Sequence, residues 1–265
     1  MPTRVPVPDY TDARALDFGI DAPGVRRMFI ALGSGALALT ALLAVVEIPG
    51  PVWLLRAARV LVAAVAGYGV GMAAYMTYGS RVGKVRTRDR LLRALPWTGA
   101  ERVLDVGCGR GLMAIGAAHY VPQGEVVGID RWSATDQTDN TAAAAQHNAM
   151  RAGVACRVRI DTGDARALPY DTAAFDVVLS HWVVHNLPEA RDRAWALDEM
   201  LRVLRPAGFL VVADIAHQAE YLAHLRAVGV TDLRVESGGL ESAVIGVFSG
   251  NTFRPQAIIA RIAAT

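Results

Sequence analysis

The chain has little cysteine: Cys108 and Cys156 are its two cysteines, and they do not form a CxxC pair. A disulfide framework is therefore not expected, and a reducing compartment is the simpler interpretation. The net charge is also small, +2 over 265 residues, which does not favour nucleic acid as the default partner. No internal repeat or low-complexity tract is evident. The length of the chain leaves room for one α/β domain and one additional segment.

Charged side chains are missing from two long stretches, Met28–Val46 and Val60–Ser80. As a helix rising about 1.5 Å per residue, the first stretch spans about 28 Å, close to the hydrocarbon thickness of a membrane. Both stretches are apolar on every face, and the Pro-Gly-Pro sequence at 49–51 predicts a turn between them. We therefore expect a transmembrane helical hairpin, in which Gly67 and Gly71 let the helices approach closely. A buried hairpin of a soluble helical bundle is the alternative.

Basic residues flank this hairpin unequally. Arg26 and Arg27 precede it and only Arg56 and Arg59 lie in its loop, whereas the second stretch is followed by Arg81, Lys84, Arg86, Arg88, Arg90 and Arg93. The positive-inside rule then predicts a cell-membrane protein with both termini cytoplasmic. The basic cluster either contacts anionic membrane lipids or only sets topology; it lacks interleaved aromatic residues, so no nucleic acid is expected. The predicted division is a cytosolic tail over 1–27, the hairpin over 28–80, a basic juxtamembrane linker or helix over 81–98 and an α/β domain over 99–265.

From about Trp97, short apolar segments alternate with helical ones. The predicted strands cover residues 102–106, 125–129, 157–160, 175–180, 209–213, 232–236 and 256–263, and helices are predicted over 112–118, 140–152, 190–204 and 217–228. This alternation predicts a parallel sheet with helices on both faces. In such sheets a ligand lies at the carboxyl ends of the strands, near the switch in strand order.

Polar residues follow the first four predicted strands. Asp105 precedes the glycine turn 107–111, Asp130 ends the second strand, Asp164 follows the third, and Ser180 lies at the end of the fourth. Glycines let the backbone approach a nucleotide-like ligand, and the helix start behind them offers free N–H groups. Asp130 is suited to ribose hydroxyls and Asp164 to an adenine amine. The GxGxG spacing and the acid before it disfavour a diphosphate, so a nicotinamide-dependent oxidoreductase is the weaker alternative.

These stretches resemble the class I S-adenosylmethionine-dependent methyltransferases, in particular the type 11 group. The resemblance is carried by Val103–Gly111, Val127–Asp130, Gly163–Ala165, Phe175–Ser180 and Leu204–Phe209, although Ala207-Gly208 stands where the family usually has two glycines. It implies a Rossmann-like, seven-stranded, mostly parallel sheet whose last strand pairs antiparallel, and S-adenosyl-L-methionine as cofactor. The extended match around 88–92 resembles a membrane-tethered bacterial subgroup.

For two of the candidate cofactor-binding residues, the sequence allows either a contact with the cofactor or no role in binding. Trp132 either stacks against the adenine or only packs, and Arg131 either contacts the ribose or is solvated. The resemblance implies that Asp105 and the glycine turn hold the methionine part, that Asp130 binds the ribose, and that Asp164 with Ala165 binds the adenine. The full candidate set is Asp105, Gly107, Cys108, Gly109, Gly111, Asp130, Arg131, Trp132, Asp164, Ala165, Ser180 and His181.

The acceptor side is less defined, because methyl transfer from a sulfonium needs alignment and exclusion of water rather than a fixed catalytic motif. His185 is the candidate general base, with packing or helix capping as the alternative. No metal is expected, since His181 and His185 lack a third ligand at suitable spacing. We expect a small lipophilic acceptor near the membrane; the acceptor atom and the oligomeric state are not specified by the sequence. A non-catalytic S-adenosylmethionine-sensing membrane protein is the second alternative.

Three further segments are candidates for the border of the acceptor pocket or the cofactor. Tyr78 and Lys84 lie where the second apolar stretch enters the α/β domain. The polar segment Ser133–Asn140 is either a lid or a loop without a role. The link Val244–Asn251 either borders the acceptor pocket or is a hairpin turn.

Overall fold

The computed structural model describes residues 16–46, 49–238, 246 and 254–264. Most of the predicted tail and the Val244–Asn251 link, apart from Gly246, lie outside these residues. The chain divides into two compact units. We call residues 19–84 with 134–138 the hairpin unit, and residues up to 18, 85–133 and 139 onwards the sheet unit.

The hairpin unit is built on two long helices, α1 (Pro23–Val45) and α2 (Val52–Tyr78), and a π-helical turn, Gly79–Gly83, follows α2. Both helices are long and apolar enough to cross a membrane by length and composition. Few of their residues are covered: the buried ones on α2 are Ala66, Gly69 and Ala73. Large apolar side chains such as Leu61 are instead exposed over about two thirds of their surface (66% for Leu61).

The two helices touch at a pair of glycines. A Cβ atom at Gly69 would lie 2.6 Å from the Gly33 nitrogen, and one at Gly33 would lie 2.8 Å from the Val70 nitrogen. These distances leave no space for a side chain at either position, so backbone packs on backbone. The prediction that Gly67 and Gly71 form the contact is wrong, because neither has any atom within 4 Å of an added Cβ. Positions two apart on a helix face opposite sides, and Gly69 faces the partner helix.

An ion pair lies at the base of the hairpin unit. The buried Lys84 ammonium donates to both carboxylate oxygens of Asp21, at 3.0 and 3.1 Å, and to the Gly19 carbonyl at 3.0 Å. Residues 134–138 of the predicted lid pair with the chain beside Asp21: the Thr138 N–H donates to the Ile20 carbonyl at 3.0 Å. Lys84 therefore has a structural partner in this unit, where the sequence suggested a pocket residue.

The sheet unit contains a seven-stranded sheet in the order β3-β2-β1-β4-β5-β7-β6. Its strands are β1 (Arg102–Val106), β2 (Glu125–Asp130), β3 (Val158–Thr162), β4 (Phe175–His181), β5 (Leu204–Asp214), β6 (Asp232–Ser237) and β7 (Gln256–Arg261). β1 to β5 are parallel, and β7 is antiparallel to both β5 and β6. The predicted fold class is confirmed.

Helices cover both faces of this sheet and bury two apolar clusters. They are α3 (Lys84–Arg93, of which Lys84 belongs to the hairpin unit), α4 (Leu112–Ala118), α5 (Ala142–Arg151), α6 (Ala190–Val203) and α7 (Gln218–Ala227). Leu91 and Leu92 of α3 are fully buried, and Phe18 joins the same cluster. Residues of the predicted basic linker thus contribute to the core, as does Phe18 from the segment predicted as a cytosolic tail.

Candidate functional site

The carboxyl ends of β1 to β5 lie side by side. In register, Asp130 pairs with Thr162 of β3, and Val106 pairs with Ser180 of β4. His181 pairs with Ala213, one residue before the end of β5. The sheet therefore brings the predicted acids and the residues after β4 to one edge, as expected for a parallel sheet.

The glycine turn after β1 has the backbone conformation for which its glycines are needed. Gly107, Gly109 and Gly111 have φ angles of 72°, 52° and 86°, in the left-handed region. A Cβ atom at Gly107 would lie 2.2 Å from the Val183 side chain. The turn is therefore packed directly against the segment that follows β4.

Cys108 fixes this turn to β2. The N–H groups of Gly107 and Cys108 both donate to the Ile129 carbonyl, at 2.8 and 3.1 Å. The thiol is buried, and a Cβ at Gly128 would lie 2.9 Å from its sulfur. Burial and the nearby acids raise the pKa of the thiol, so it stays protonated and packs as a small residue.

Asp130 connects the glycine turn with the segment after β2. Its Oδ2 accepts from the Gly109 N–H at 2.8 Å, and its Oδ1 accepts from the Trp132 N–H at 2.6 Å and the Asn140 amide at 3.3 Å. A carboxylate offers about four lone-pair sites, so Asp130 retains some acceptor capacity. Sequence reasoning did not single out Asn140, because no spacing rule relates it to Asp130.

Asp105 is a buried acid with an unused oxygen. Its Oδ2 accepts from the Ala114 N–H at 2.8 Å, while Oδ1 has no hydrogen-bond partner among the described residues. Burial raises the pKa of this carboxyl to about 7; the Ala114 hydrogen bond opposes the rise and the Asp130 charge adds to it. The Ser180 hydroxyl oxygen is likewise buried, and no described residue hydrogen-bonds to it. Buried polar groups rarely lack partners, so each of these atoms marks a polar position at the end of its strand. Asp105 pairs in register with Leu179 and Ser180 with Val106, so the two side chains point to opposite faces of the sheet.

The Asp164 carboxylate forms an ion pair that was not predicted from the sequence. The Arg166 guanidinium holds its two carboxylate oxygens at 3.0 and 2.7 Å, and also contacts Asp192 at 2.9 Å. Hydrogen bonds from Arg166 hold the pKa of Asp164 below its usual value, and the Arg131 charge acts in the same direction. Ala165 packs against the apolar cluster on one face of the sheet. Asp164 is therefore ionised, with both oxygens engaged.

Two tryptophans at this edge have left-handed backbone conformations, which are costly for a residue with a side chain. Trp132 (φ 63°) donates from its indole N–H to the Thr162 hydroxyl at 2.8 Å. Trp182 (φ 61°) stacks on His181, with ring centroids 5.1 Å apart and planes 13° apart. The indole of Trp132 is thereby oriented by the end of β3.

His185 lies on a single 3₁₀ turn, Val184–Asn186, after β4. Its Nδ1 lies 2.5 Å from Oδ1 of Asp214, the buried last residue of β5. Sequence reasoning missed Asp214, although the rule that selected the other acids at strand ends also selects this one. Within the described part of the chain, no group of three His, Cys, Asp or Glu side chains is placed to hold a metal ion.

The sequence of this chain is similar to those of known methyltransferases, which agrees with the nucleotide-type site at the carboxyl ends of the strands. A family model described as a methyltransferase domain matches residues 104–212. The chain is 36% identical over 129 residues to the 27-O-demethylrifamycin SV methyltransferase of Amycolatopsis mediterranei, covering 49% of this chain and 44% of that protein. It is 33% identical over 128 residues to the demethylmenaquinone methyltransferase of Staphylococcus aureus, covering 48% of each. The chain thus spans about half the length of these curated relatives.

The fold is shared with solved methyltransferases. The structure of a SAM-dependent methyltransferase from Aquifex aeolicus matches with a TM-score of 0.52 and 19% identity, over 66% of this chain and 89% of that one. The sheet unit therefore has the fold of the S-adenosylmethionine-dependent methyltransferases. A methyltransferase-domain model thus matches residues 104–212, and at the level of this segment the match supports the predicted enzyme and cofactor class.

Proposed function

We propose that the whole chain is a membrane-anchored S-adenosylmethionine-dependent methyltransferase that acts on a small lipophilic acceptor. The hairpin of residues 28–80 crosses the cell membrane twice, residues 81–98 follow it, and the domain of residues 99–265 works on the cytoplasmic side. The observation that carries the enzymatic part lies at the carboxyl ends of β1 and β4. There the Asp105 Oδ1 and the Ser180 hydroxyl are buried without a hydrogen-bond partner among the described residues, next to the glycine turn.

The residues at this edge fit S-adenosylmethionine, which supplies the activated methyl group when bound. The free Oδ1 of Asp105, the Ser180 hydroxyl and the glycine turn suit a zwitterionic amino-acid portion. Asp130 has acceptor capacity left for ribose hydroxyls. We assign the remaining cofactor contacts to Arg131 and Trp132 after β2, to Asp164 and Ala165 after β3, and to His181 at the end of β4. Because Arg166 already engages Asp164, that carboxylate can accept an adenine amine only by sharing its oxygens.

The anchoring proposal is supported by the surface of α1 and α2. Only 6% of an 18-residue apolar stretch within Pro23–Val45 is buried in the protein. On α2, large side chains such as Val60 and Leu61 are exposed over about two thirds of their surface. An uncovered surface of this size is unusual for a monomer in water, whereas lipid tails would cover it. The excess of Arg and Lys after α2 supports cytoplasmic ends by the positive-inside rule.

A lipophilic acceptor follows from this anchoring. A short connection between hairpin and domain raises the effective concentration of the site toward molecules dissolved in the membrane. The names of two relatives, a rifamycin and a demethylmenaquinone methyltransferase, refer to small molecules. We therefore favour quinone-like, phenolic or lipid acceptors over proteins or nucleic acid.

The test combines localisation with turnover. Membranes that contain the full chain are washed with alkaline carbonate, mixed with S-adenosylmethionine and a panel of lipid-soluble acceptors, and analysed for S-adenosylhomocysteine by mass spectrometry. We expect the chain to stay in the membrane and to form S-adenosylhomocysteine when an acceptor is present. Asp130→Ala should abolish this product formation, whereas Asp198→Ala should not. Release into the wash would contradict the anchoring. Cofactor binding without turnover of any acceptor would favour a sensing role, and binding of NADH in its place would favour an oxidoreductase.

A further inference from the structure

The buried carboxylate of Asp214 contacts Nδ1 of the His185 ring and leaves the second ring nitrogen, Nε2, available. Asp214 is 1% exposed, and its Oδ1 lies 2.5 Å from His185 Nδ1. Three further donors converge on the same carboxylate: the N–H of His185 at 2.9 Å, the N–H of Ile215 at 2.9 Å, and the hydroxyl of Tyr221 at 3.2 Å. The side chain of Asp214 is thus fixed by backbone and by α7, and its orientation does not depend on His185 alone.

This environment specifies the protonation pattern of the ring. An ionised carboxylate only accepts hydrogen bonds, so the Nδ1 that faces Asp214 carries a proton. In the neutral ring Nε2 then has a free lone pair. The His185 side chain is 18% exposed, and among the described residues its hydrogen bonds involve only Nδ1 and the backbone N–H. Nε2 is therefore the basic atom that this arrangement leaves for a ligand.

The position of His185 relates it to the glycine turn. Val183, two residues earlier, lies against Gly107, where an added Cβ would be 2.2 Å from its side chain. The Trp182 N–H donates to the Ala213 carbonyl at 2.8 Å, which fixes the start of this segment to β5. The 3₁₀ turn carrying His185 is thus anchored between the glycine turn after β1 and the end of β5.

We propose that Asp214 and Tyr221 are positioning residues for His185, which acts as a general base on an acceptor that carries a hydroxyl group. This inference rests on the proposed methyltransferase function and specifies its substrate class. In the step, His185 Nε2 takes the hydroxyl proton as the acceptor oxygen attacks the methyl carbon. The new C–O bond forms, the S–C bond breaks with its electrons going to sulfur, and S-adenosylhomocysteine leaves. The imidazolium that results is stabilised by Asp214 and releases its proton to water.

The tautomer can be measured without any acceptor. We expect ¹⁵N spectra of the full chain in detergent, labelled at histidine, to show that the neutral ring of His185 carries its proton on Nδ1 and none on Nε2. The signal is assigned by its loss in His185→Gln and its retention in His224→Gln. The latter is a matched control, because His224 also pairs with an acid, Asp198, at 2.7 Å. A proton on Nε2 instead, or no change of this pattern in Asp214→Asn, would overturn the proposal.

The base function is tested with two phenol probes that differ only in acidity. With an alkylphenol, which is protonated at the assay pH, we expect His185→Ala and Asp214→Asn to lower kcat about 100-fold or more, within the range of general-base catalysis. With a nitrophenol that is already ionised, the loss should be less than about 10-fold, because no proton has to be removed. His224→Ala should be unaffected with both probes, and the KM for S-adenosylmethionine should be unchanged in all variants.

Two results would contradict the inference while leaving the proposed function intact. One is an equal loss of kcat with both phenols. The other is turnover of thiols or amines with no turnover of any hydroxyl acceptor. Failure of the proposed function is distinguishable from either, because the protein would then bind no S-adenosylmethionine in calorimetry or would turn over no acceptor of any kind.

Discussion

Asp105→Asn should make the protein more stable and do so in a pH-dependent way. The Asp105 carboxyl has a pKa of about 7 in the folded protein against an ordinary value of 3.8. Between these values the unfolded chain is ionised while the folded chain holds the proton, so ionisation of Asp105 disfavours folding increasingly as pH rises. At 1.36 kcal/mol per pH unit, this penalty reaches about 4 kcal/mol at pH 8 and is about 2 kcal/mol at pH 5.

The amide of Asn has the shape of the carboxyl and can still accept from the Ala114 N–H, but it does not ionise. The variant should therefore exceed the wild type in free energy of unfolding, by a margin that grows by about 2–3 kcal/mol between pH 5 and pH 8. Urea unfolding of the full chain in detergent, followed by tryptophan fluorescence at several pH values, measures this margin. Asp198→Asn, at the surface, is the control. A margin that is constant with pH would refute the interpretation of Asp105 as a buried acid held for a ligand.

Three further substitutions test other parts of the structure. Gly69→Leu should disrupt the hairpin, and Gly71→Leu should not, as followed by resistance to unfolding in SDS; equal effects would contradict the observed contact. Gly107→Ala should weaken S-adenosylmethionine binding at least about 10-fold, because positive φ and the close neighbouring side chain both oppose a Cβ; calorimetry measures this, and unchanged affinity would be inconsistent with it. Asp21→Asn removes the negative charge beside the buried Lys84 ammonium and should cost about 3 kcal/mol of stability in thermal or urea unfolding; a cost near zero would show that the pair is not needed.

The sheet was predictable because its signals are local. Short apolar strands and intervening helices gave the correct alternation, and β1 begins and ends at the predicted residues. β5 is longer than predicted and begins at Leu204, because Leu204 pairs with Phe175 across an irregularity in the register. Ala207 has a positive φ of 63°, at a position where the resembling family usually has a glycine.

The partners of the site residues were less predictable than the residues themselves. Acids at strand ends follow from strand spacing, whereas the Arg166–Asp164 and His185–Asp214 pairs depend on side-chain directions after the strands end. The same limit applies to the hairpin: both stretches were identified from their composition, but the helix face that carries Gly69 depends on how α1 and α2 cross. Long-range packing of this kind has no fixed sequence separation.

The central claim is that the edge formed by β1, β2 and β4 binds S-adenosylmethionine, and calorimetric titration of the detergent-solubilised full chain tests it most directly. We expect binding at one site per chain, a loss of affinity of at least about 100-fold (about 3 kcal/mol) in Asp130→Ala, and unchanged affinity in Asp198→Ala. Absence of binding by the folded wild type, or equal affinity in Asp130→Ala, would contradict it.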